Sequence, residues 1–158
     1  SISVALPRQS APVVDNRSMP DVNLQQQMAV MLLDGGVTFH SSHDRARMHD
    51  AAVAELRGRI HIDPRDEEPF KQNSRQAWVT VRLKNGRSLE HRTLYVRGTP
   101  NNPMSTEEVV TKCRDLMAPI LGEKQTNGLI ERVLALDTVQ DVTELRPLLI
   151  PSECRPSR

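Results

Sequence analysis

Aromatic residues make up only 3% of the 158 positions. That scarcity argues against a base-stacking surface for single-stranded nucleic acid. Cysteine is scarce as well: Cys113 and Cys154 are the two present, and they form no metal-binding pattern. Two cysteines without a signal peptide favour a reducing, cytoplasmic setting, with a single disulfide as the other reading. No apolar run approaches the roughly 18 residues of a membrane-spanning helix. Neither sign of charge prevails, because 21 basic residues face 20 acidic ones for a formal net charge of +1. No strong field therefore draws the chain to nucleic acid or to a membrane. The chain also lacks an initiator methionine. It opens SISVALP, already patterned as a strand, which is expected of a fragment rather than of a complete protein.

What is present describes a globular chain. Hydrophobic residues are 37% and charged residues 26%, which fits a folded domain and excludes a disordered one. Ile2, Val4 and Leu6 share one face of the first strand. Residues 7–20, with Pro7, Pro12 and Pro20, read as a loop. The stretch RSMPDVNLQQQMAVMLLDGG covers residues 17–36. Asp21 is read as the cap of a helix running to about Asp34. Leu24, Met28, Met31 and Leu32 lie at helical spacing, Val30 and Leu33 widen the stripe, and all are assigned to the core. Gly35 and Gly36 end the helix, since glycine takes left-handed geometry without strain. Val37 to Phe39 reads as a short extended piece, and residues 40–48 as polar and basic. Residues 50–57 predict a short helix with Ala52, Val53 and Leu56 inward.

The period then changes. RIHID at 59–63 alternates as a strand, and residues 64–74 read as a charged loop. Residues 76–96 predict a hairpin, with Ala77, Val79, Val81 and Leu83 on one face and Asn85-Gly86 as a two-residue turn. A breaker-rich linker follows at 98–104. Ser105 with Glu108 makes a capping box for a helix whose stripe is Val109, Cys113, Leu116 and Ile120. Pro119 should stop or kink it. A helix at about 125–136 carries Leu129, Ile130, Val133, Leu134 and Leu136. A short last helix, 141–149, is capped by Asp141, and 151–158 is a frayed tail. The fold class predicted is α+β: a small mixed sheet with a hairpin and packed helices over 1–97, then an all-helical segment over 105–150. Those last helices carry more apolar surface than three helices need, so they are expected to pack on a part of the protein outside this chain.

Chemistry-bearing patterns are sparse. His40, His43 and His49 lack zinc-site spacing, so no metal site is assigned. His61 lies opposite the isoleucines of its strand and His91 lies in the hairpin; either can titrate near neutral pH, but nothing beside them marks a general base. Asp63, Asp66, Glu67 and Glu68 read as a solvated run rather than a hard-cation site. Arg45, Arg47, Arg57, Arg59 and Arg65 are interspersed with acids. A set of arginines clamping the carboxylates of a small acid is more credible than a nucleic-acid footprint. Neither a nucleophile elbow, a phosphate loop nor a dinucleotide fingerprint is present, and no catalytic residue is assigned.

Four stretches together carry a resemblance: DNRSMPDVNLQQQMAVMLLDGG at 15–36, RIHID at 59–63, VTVRLKNGRSL at 79–89 and GTPNNPMSTEEVVTKCRDL at 98–116. In this order they resemble the carboxyl-terminal part of the MmgE/PrpD family, over roughly residues 1–150. The resemblance implies cofactor-free proton abstraction from a di- or tricarboxylic acid, followed by loss of water, loss of carbon dioxide or epimerisation, as in 2-methylcitrate dehydratase. It implies a lid over 1–97, helices at 105–150 that return to an N-terminal helical domain absent here, and a homo-oligomer. The family's acid/base groups lie upstream of this chain, and the lid closes over the substrate to exclude water. In that reading Arg17, Asp21, Gln25 and Gln26 face the cleft, Arg17 pairing a substrate carboxylate and the glutamines donating amide hydrogen bonds. The decarboxylase branch has a tyrosine at the position of Gln26, so its role does not carry over. The alternative is a non-enzymatic α+β module that binds a partner protein through its helical tail.

Overall fold

The computed structural model describes residues 1–67 and 75–151. The chain divides into two compact units, Ser1–Pro103 and Met104–Arg158. The first is built on four strands: β1 (Ile2–Pro7), β2 (Ile60–Arg65), β3 (Ala77–Arg82) and β4 (Ser88–Thr93), in the order β2-β1-β3-β4. β1 pairs parallel with β2 and antiparallel with β3, and β3 pairs antiparallel with β4. The mixed sheet of an α+β fold is therefore present.

The register shows why these residues form a sheet. Ile2 faces Ile60 and Val81 across its two neighbours, and Val4 faces Ile62 and Val79. Alternation at period two thus gathers aliphatic side chains on one face. Four short helices belong to this unit: α1 (Ala11–Val14), α2 (Leu24–Asp34), α3 (Phe39–His43) and α4 (Ala51–Arg57). Ala29 and Val30 of α2 and Val53 of α4 complete the buried core with Ile2, Val4, Leu6 and Ile60. β2 is an edge strand and continues through Pro64 to Arg65, past the expected strand end. Ile2 N–H bonds Arg59 C=O and Arg8 N–H bonds Arg65 C=O, so the odd-numbered residues of β2 point their backbone groups at β1. Pro64 therefore points its missing donor outward and costs no ladder bond.

Several expectations are corrected. The cap of α2 is Asn23, not Asp21: the Asn23 side chain accepts from Gln26 N–H at 2.9 Å, while Asp21 lies in a 3-10 turn, Pro20–Val22. The stripe of α2 turned inward is Gln25, Gln26, Ala29 and Val30, which follow at i and i+4. Met31, Leu32 and Leu33 are 44%, 51% and 47% exposed rather than core. Gly35 does end the helix, at φ 76°, with its N–H on Met31 C=O. A helix, α1, stands in the expected loop because Pro12 sits in its first turn, where no N–H is needed. Thr38 is extended as expected, but the chain turns helical at Phe39, and α3 runs on into the polar segment, opened by reciprocal bonds between Thr38 and Ser41. Within α4, Val53 is buried, Leu56 half-buried and Ala52 exposed. Leu83 is exposed, one residue past the end of β3, and the hairpin loop has three residues, Lys84 to Gly86, rather than two. Gly86 N–H closes onto Leu83 C=O at 3.2 Å, and Gly86 takes φ 83°. Of the expected charged loop, residues 68–74 lie outside the described residues.

The second unit contains α5 (Thr106–Leu121), α6 (Glu123–Leu134) and two 3-10 segments, Leu136–Thr138 and Val142–Leu148. The Ser105–Glu108 capping box forms in both directions. α5 runs two residues beyond Pro119, and Gly122, at φ 78°, turns the chain into α6. Asp141 caps the last segment, which is 3-10 rather than α. The Gln125 amide ties its end down through Leu148 and Ile150 C=O, at 2.9 and 2.8 Å. Only Thr126, Leu129 and Ile130 are buried among the described residues of this unit. Val109, Ile120, Val133, Leu134 and Leu136 are exposed. Residues 152–158, most of the expected tail, lie outside the described residues. No described helix is long and apolar enough to cross a membrane.

Candidate functional site

The loop between α1 and α2 is held from below by buried amides. Asn16 takes φ 43°, a left-handed conformation that asparagine tolerates better than most residues. Its N–H donates to Gln25 Oε1 at 3.1 Å, and Gln25 Nε2 donates to Asp15 Oδ1 at 2.6 Å. Asn23 Nδ2 donates to Arg17 C=O at 2.6 Å. Asn23 and Gln25 are almost fully buried, so this short loop has a fixed backbone. Above it opens a cleft of about 490 Å³ lined by Pro12, Val13, Arg17, Ser18, Met19 and Val22. Among the described residues no acid pairs with Arg17, an exposed guanidinium on a clamped backbone. Such a group is suited to bidentate capture of a carboxylate.

The structure separates the four residues assigned to the site. Arg17 lines the cleft. Asp21 lies on the 3-10 turn beside it, with Oδ2 4.0 Å from His43 Nε2. His43 Nδ1 bonds Phe39 C=O at 2.8 Å. Ser42 Oγ lies 2.9 Å from the same nitrogen, and Nε2 faces Asp21. Gln25 and Gln26 do not face the cleft: they are 2% and 1% exposed. Gln25 clamps the loop, and Gln26 Oε1 accepts from Arg57 Nη1 at 3.3 Å. Gln26 Nε2 is buried without a hydrogen-bond partner. The cause is the rotation of α2, whose inner side is set by Ala29 and Val30 one turn on. Sequence reasoning missed the approach of His43 to Asp21, because a contact between separate turns leaves no local period.

The central arginines do not form a shared clamp. Arg47 pairs with Asp34 at 3.0 Å, Arg59 with Glu55, and Arg65 with Asp63 and Glu67. Each is matched by an acid close in the fold, and Arg57 is committed to Gln26. Among the described residues, no three His, Cys, Asp or Glu side chains gather as metal ligands would.

Comparison with known proteins places this fold. The sequence pattern of the MmgE/PrpD C-terminal domain matches residues 8–137. Cis-aconitate decarboxylase of Homo sapiens is 29% identical over 128 residues, which cover 80% of this chain and 26% of that protein. The protein of the same name from Mus musculus is 25% identical over 140 residues, 85% of this chain and 28% of its own length. The chain thus spans about a quarter of the length of these curated relatives. With most of its length matched in one block, the chain belongs to the MmgE/PrpD family and carries its C-terminal domain.

Proposed function

We propose that this chain is the lid-and-tail portion of a cytoplasmic, cofactor-independent lyase or isomerase acting on a small di- or tricarboxylic acid. The family match over residues 8–137 carries the reading. In it the sheet unit forms the lid, and the exposed apolar residues of α5 and α6 pack on a helical domain elsewhere in the same protein. That domain supplies the acid/base groups. Arg17 meets a substrate carboxylate, and Gln25 acts beneath it by fixing the loop. A module that docks on another protein through α5 and α6 is the rival reading, and the same exposed apolar residues support it.

The test uses the full-length protein against a panel of di- and tricarboxylates, following alkene formation, carbon dioxide release and stereochemical exchange. A charge-assisted hydrogen bond contributes about 1.5–3 kcal/mol. Arg17→Ala is therefore expected to lower kcat/KM about 10- to 100-fold. Gln25→Leu should raise KM less and reduce thermal stability. An Arg17→Ala enzyme with unchanged kcat/KM would remove Arg17 from the site. Absence of turnover on the whole panel would favour the docking module.

A further inference from the structure

The sequence contains two Asn-Gly pairs, Asn85-Gly86 and Asn127-Gly128, and the fold treats them in opposite ways. An asparagine followed by glycine can react with its own backbone. The glycine nitrogen attacks the side-chain amide carbon, and glycine has no side chain to shield that nitrogen or restrict its approach. The outcome depends on how freely the two groups can meet. Asn127 and Gly128 are half-buried in the middle of α6. Helix geometry commits the Gly128 N–H to the carbonyl one turn back. Asn127 Oδ1 accepts from Arg114 Nε at 2.9 Å, which holds the side chain away from its own backbone.

Asn85 and Gly86 are exposed at the tip of the hairpin. Nothing lies within 4 Å of the point where a side chain on Gly86 would begin. The Gly86 N–H bonds Leu83 C=O at 3.2 Å, the long end of the usual range, and in full contact with solvent. Arg87 N–H donates to Asn85 Oδ1 at 3.1 Å. That bond draws electron density from the amide carbon and stabilises the oxyanion that an attack on it creates. Lys84 and Arg87 flank the pair, so positive charge favours both a deprotonated nitrogen and an acidic product.

We propose that Asn85 is a site of self-modification, deamidating through a succinimide to aspartate and isoaspartate, while the fold protects Asn127. In the first step the Gly86 nitrogen gives its proton to hydroxide and bonds Asn85 Cγ. The Cγ–Nδ2 bond breaks, and Nδ2 leaves as ammonia. In the second step water opens the ring. Cleavage between the ring nitrogen and Cγ leaves aspartate. Cleavage between that nitrogen and the main-chain carbonyl carbon of residue 85 leaves isoaspartate, with the backbone running through Cγ. One water is consumed, one ammonia is released and no oxidation state changes. Either product puts a carboxylate at the hairpin tip and cancels the formal net charge of +1. Isoaspartate also lengthens the backbone of a loop that Leu83 N–H closes onto Arg87 C=O at 2.9 Å. β4 is an edge strand held in the sheet by β3 alone, so the added length loosens β4 first.

The experiment ages the whole chain in mildly alkaline buffer, folded and in guanidinium chloride, and follows the peptides that hold Asn85 and Asn127 by mass spectrometry. Isoaspartate is counted separately, by methylation with an L-isoaspartyl carboxyl methyltransferase. In the folded chain Asn85 should gain about 1 Da, the difference between amide and acid. It should do so at least about tenfold faster than Asn127, because α6 must open before the Gly128 nitrogen is free. In denaturant the two sites should react at similar rates, since only the dipeptide then counts. Asn85→Gln should abolish the gain at that site, with circular dichroism unchanged, because its ring would be one atom larger. The aged chain should exchange β4 amides faster than the fresh one and β1 amides at the same rate. Equal rates at Asn85 and Asn127 in the folded chain overturn the proposal. So does an Asn85 that stays intact when folded while the denatured sample reacts. A mass gain without methyl acceptance overturns the succinimide route, and unchanged β4 exchange overturns the effect on the strand.

Discussion

The two units use the same hydrophobic vocabulary with different results. In the sheet unit Ile2, Val4, Leu6 and Ile60 meet Ala29, Val30 and Val53, and all are buried. In the helical unit the stripes of α5 and α6 are as regular in sequence, yet Ile120 is 68% exposed and Val133 50%. Periodicity reports that a helix has an apolar side. It does not report that the cover for that side lies in the same stretch of chain. A sheet differs because strand pairing itself brings distant aliphatics onto one face.

The sharpest way to break this contrast is a matched pair of truncations. Ile60→Ala should cost about 2–5 kcal/mol, because a filled core loses contacts and gains a cavity. Ile120→Ala should stay within about 0.5 kcal/mol, as for other exposed positions. Both are read from urea denaturation of the whole chain, and equal losses would erase the distinction between the units. A smaller effect separates the helix caps. Asn23→Ala removes a buried cap and the tether on Arg17 C=O together, and should cost about 2 kcal/mol, at the upper end of cap losses. Ser105→Ala removes an exposed cap and should cost about 1 kcal/mol. A greater loss at Ser105 would show that α5 is better anchored than its exposure implies. The smallest effect concerns acid. Hydrogen bonds from Thr143, first from its hydroxyl and then from its backbone N–H, hold the Asp141 carboxyl below its usual range. A carboxylate lowered on folding stabilises above its unfolded pKa, and that contribution is lost as pH falls through the folded value. The amides of Val142–Leu148 should therefore exchange faster in acid, and Asp141→Asn should flatten that dependence. An unchanged pH profile in the variant would remove Asp141 as the cause.

What could be read from the sequence follows the range of the interaction. β1, β2 and the hairpin were legible because alternation is local, and so were the Ser105–Glu108 box and the Gly35 stop. The short helices α1 and α3 were not, since four or five residues give no period. The harder failure was the rotation of α2. Gln25 and Gln26 were expected to face a cleft, but they are inside, bonded to Asp15, Asn16 and Arg57. A buried amide is indistinguishable from an exposed one until its partner is known. Arg17 was singled out from its position in the loop; the bond that holds its backbone and the approach of His43 to Asp21 required the fold.

Pro64 has a consequence for how this sheet meets other chains. The outer side of β2 would otherwise be a row of open donors and acceptors, a template on which an unfolded neighbour could add a strand and then another. Proline interrupts that row at a position where the sheet itself loses nothing. Replacing it with threonine would leave the native ladder intact and turn a blunt margin into an adhesive one. Such a protein would fold as before and add strands at that margin more readily.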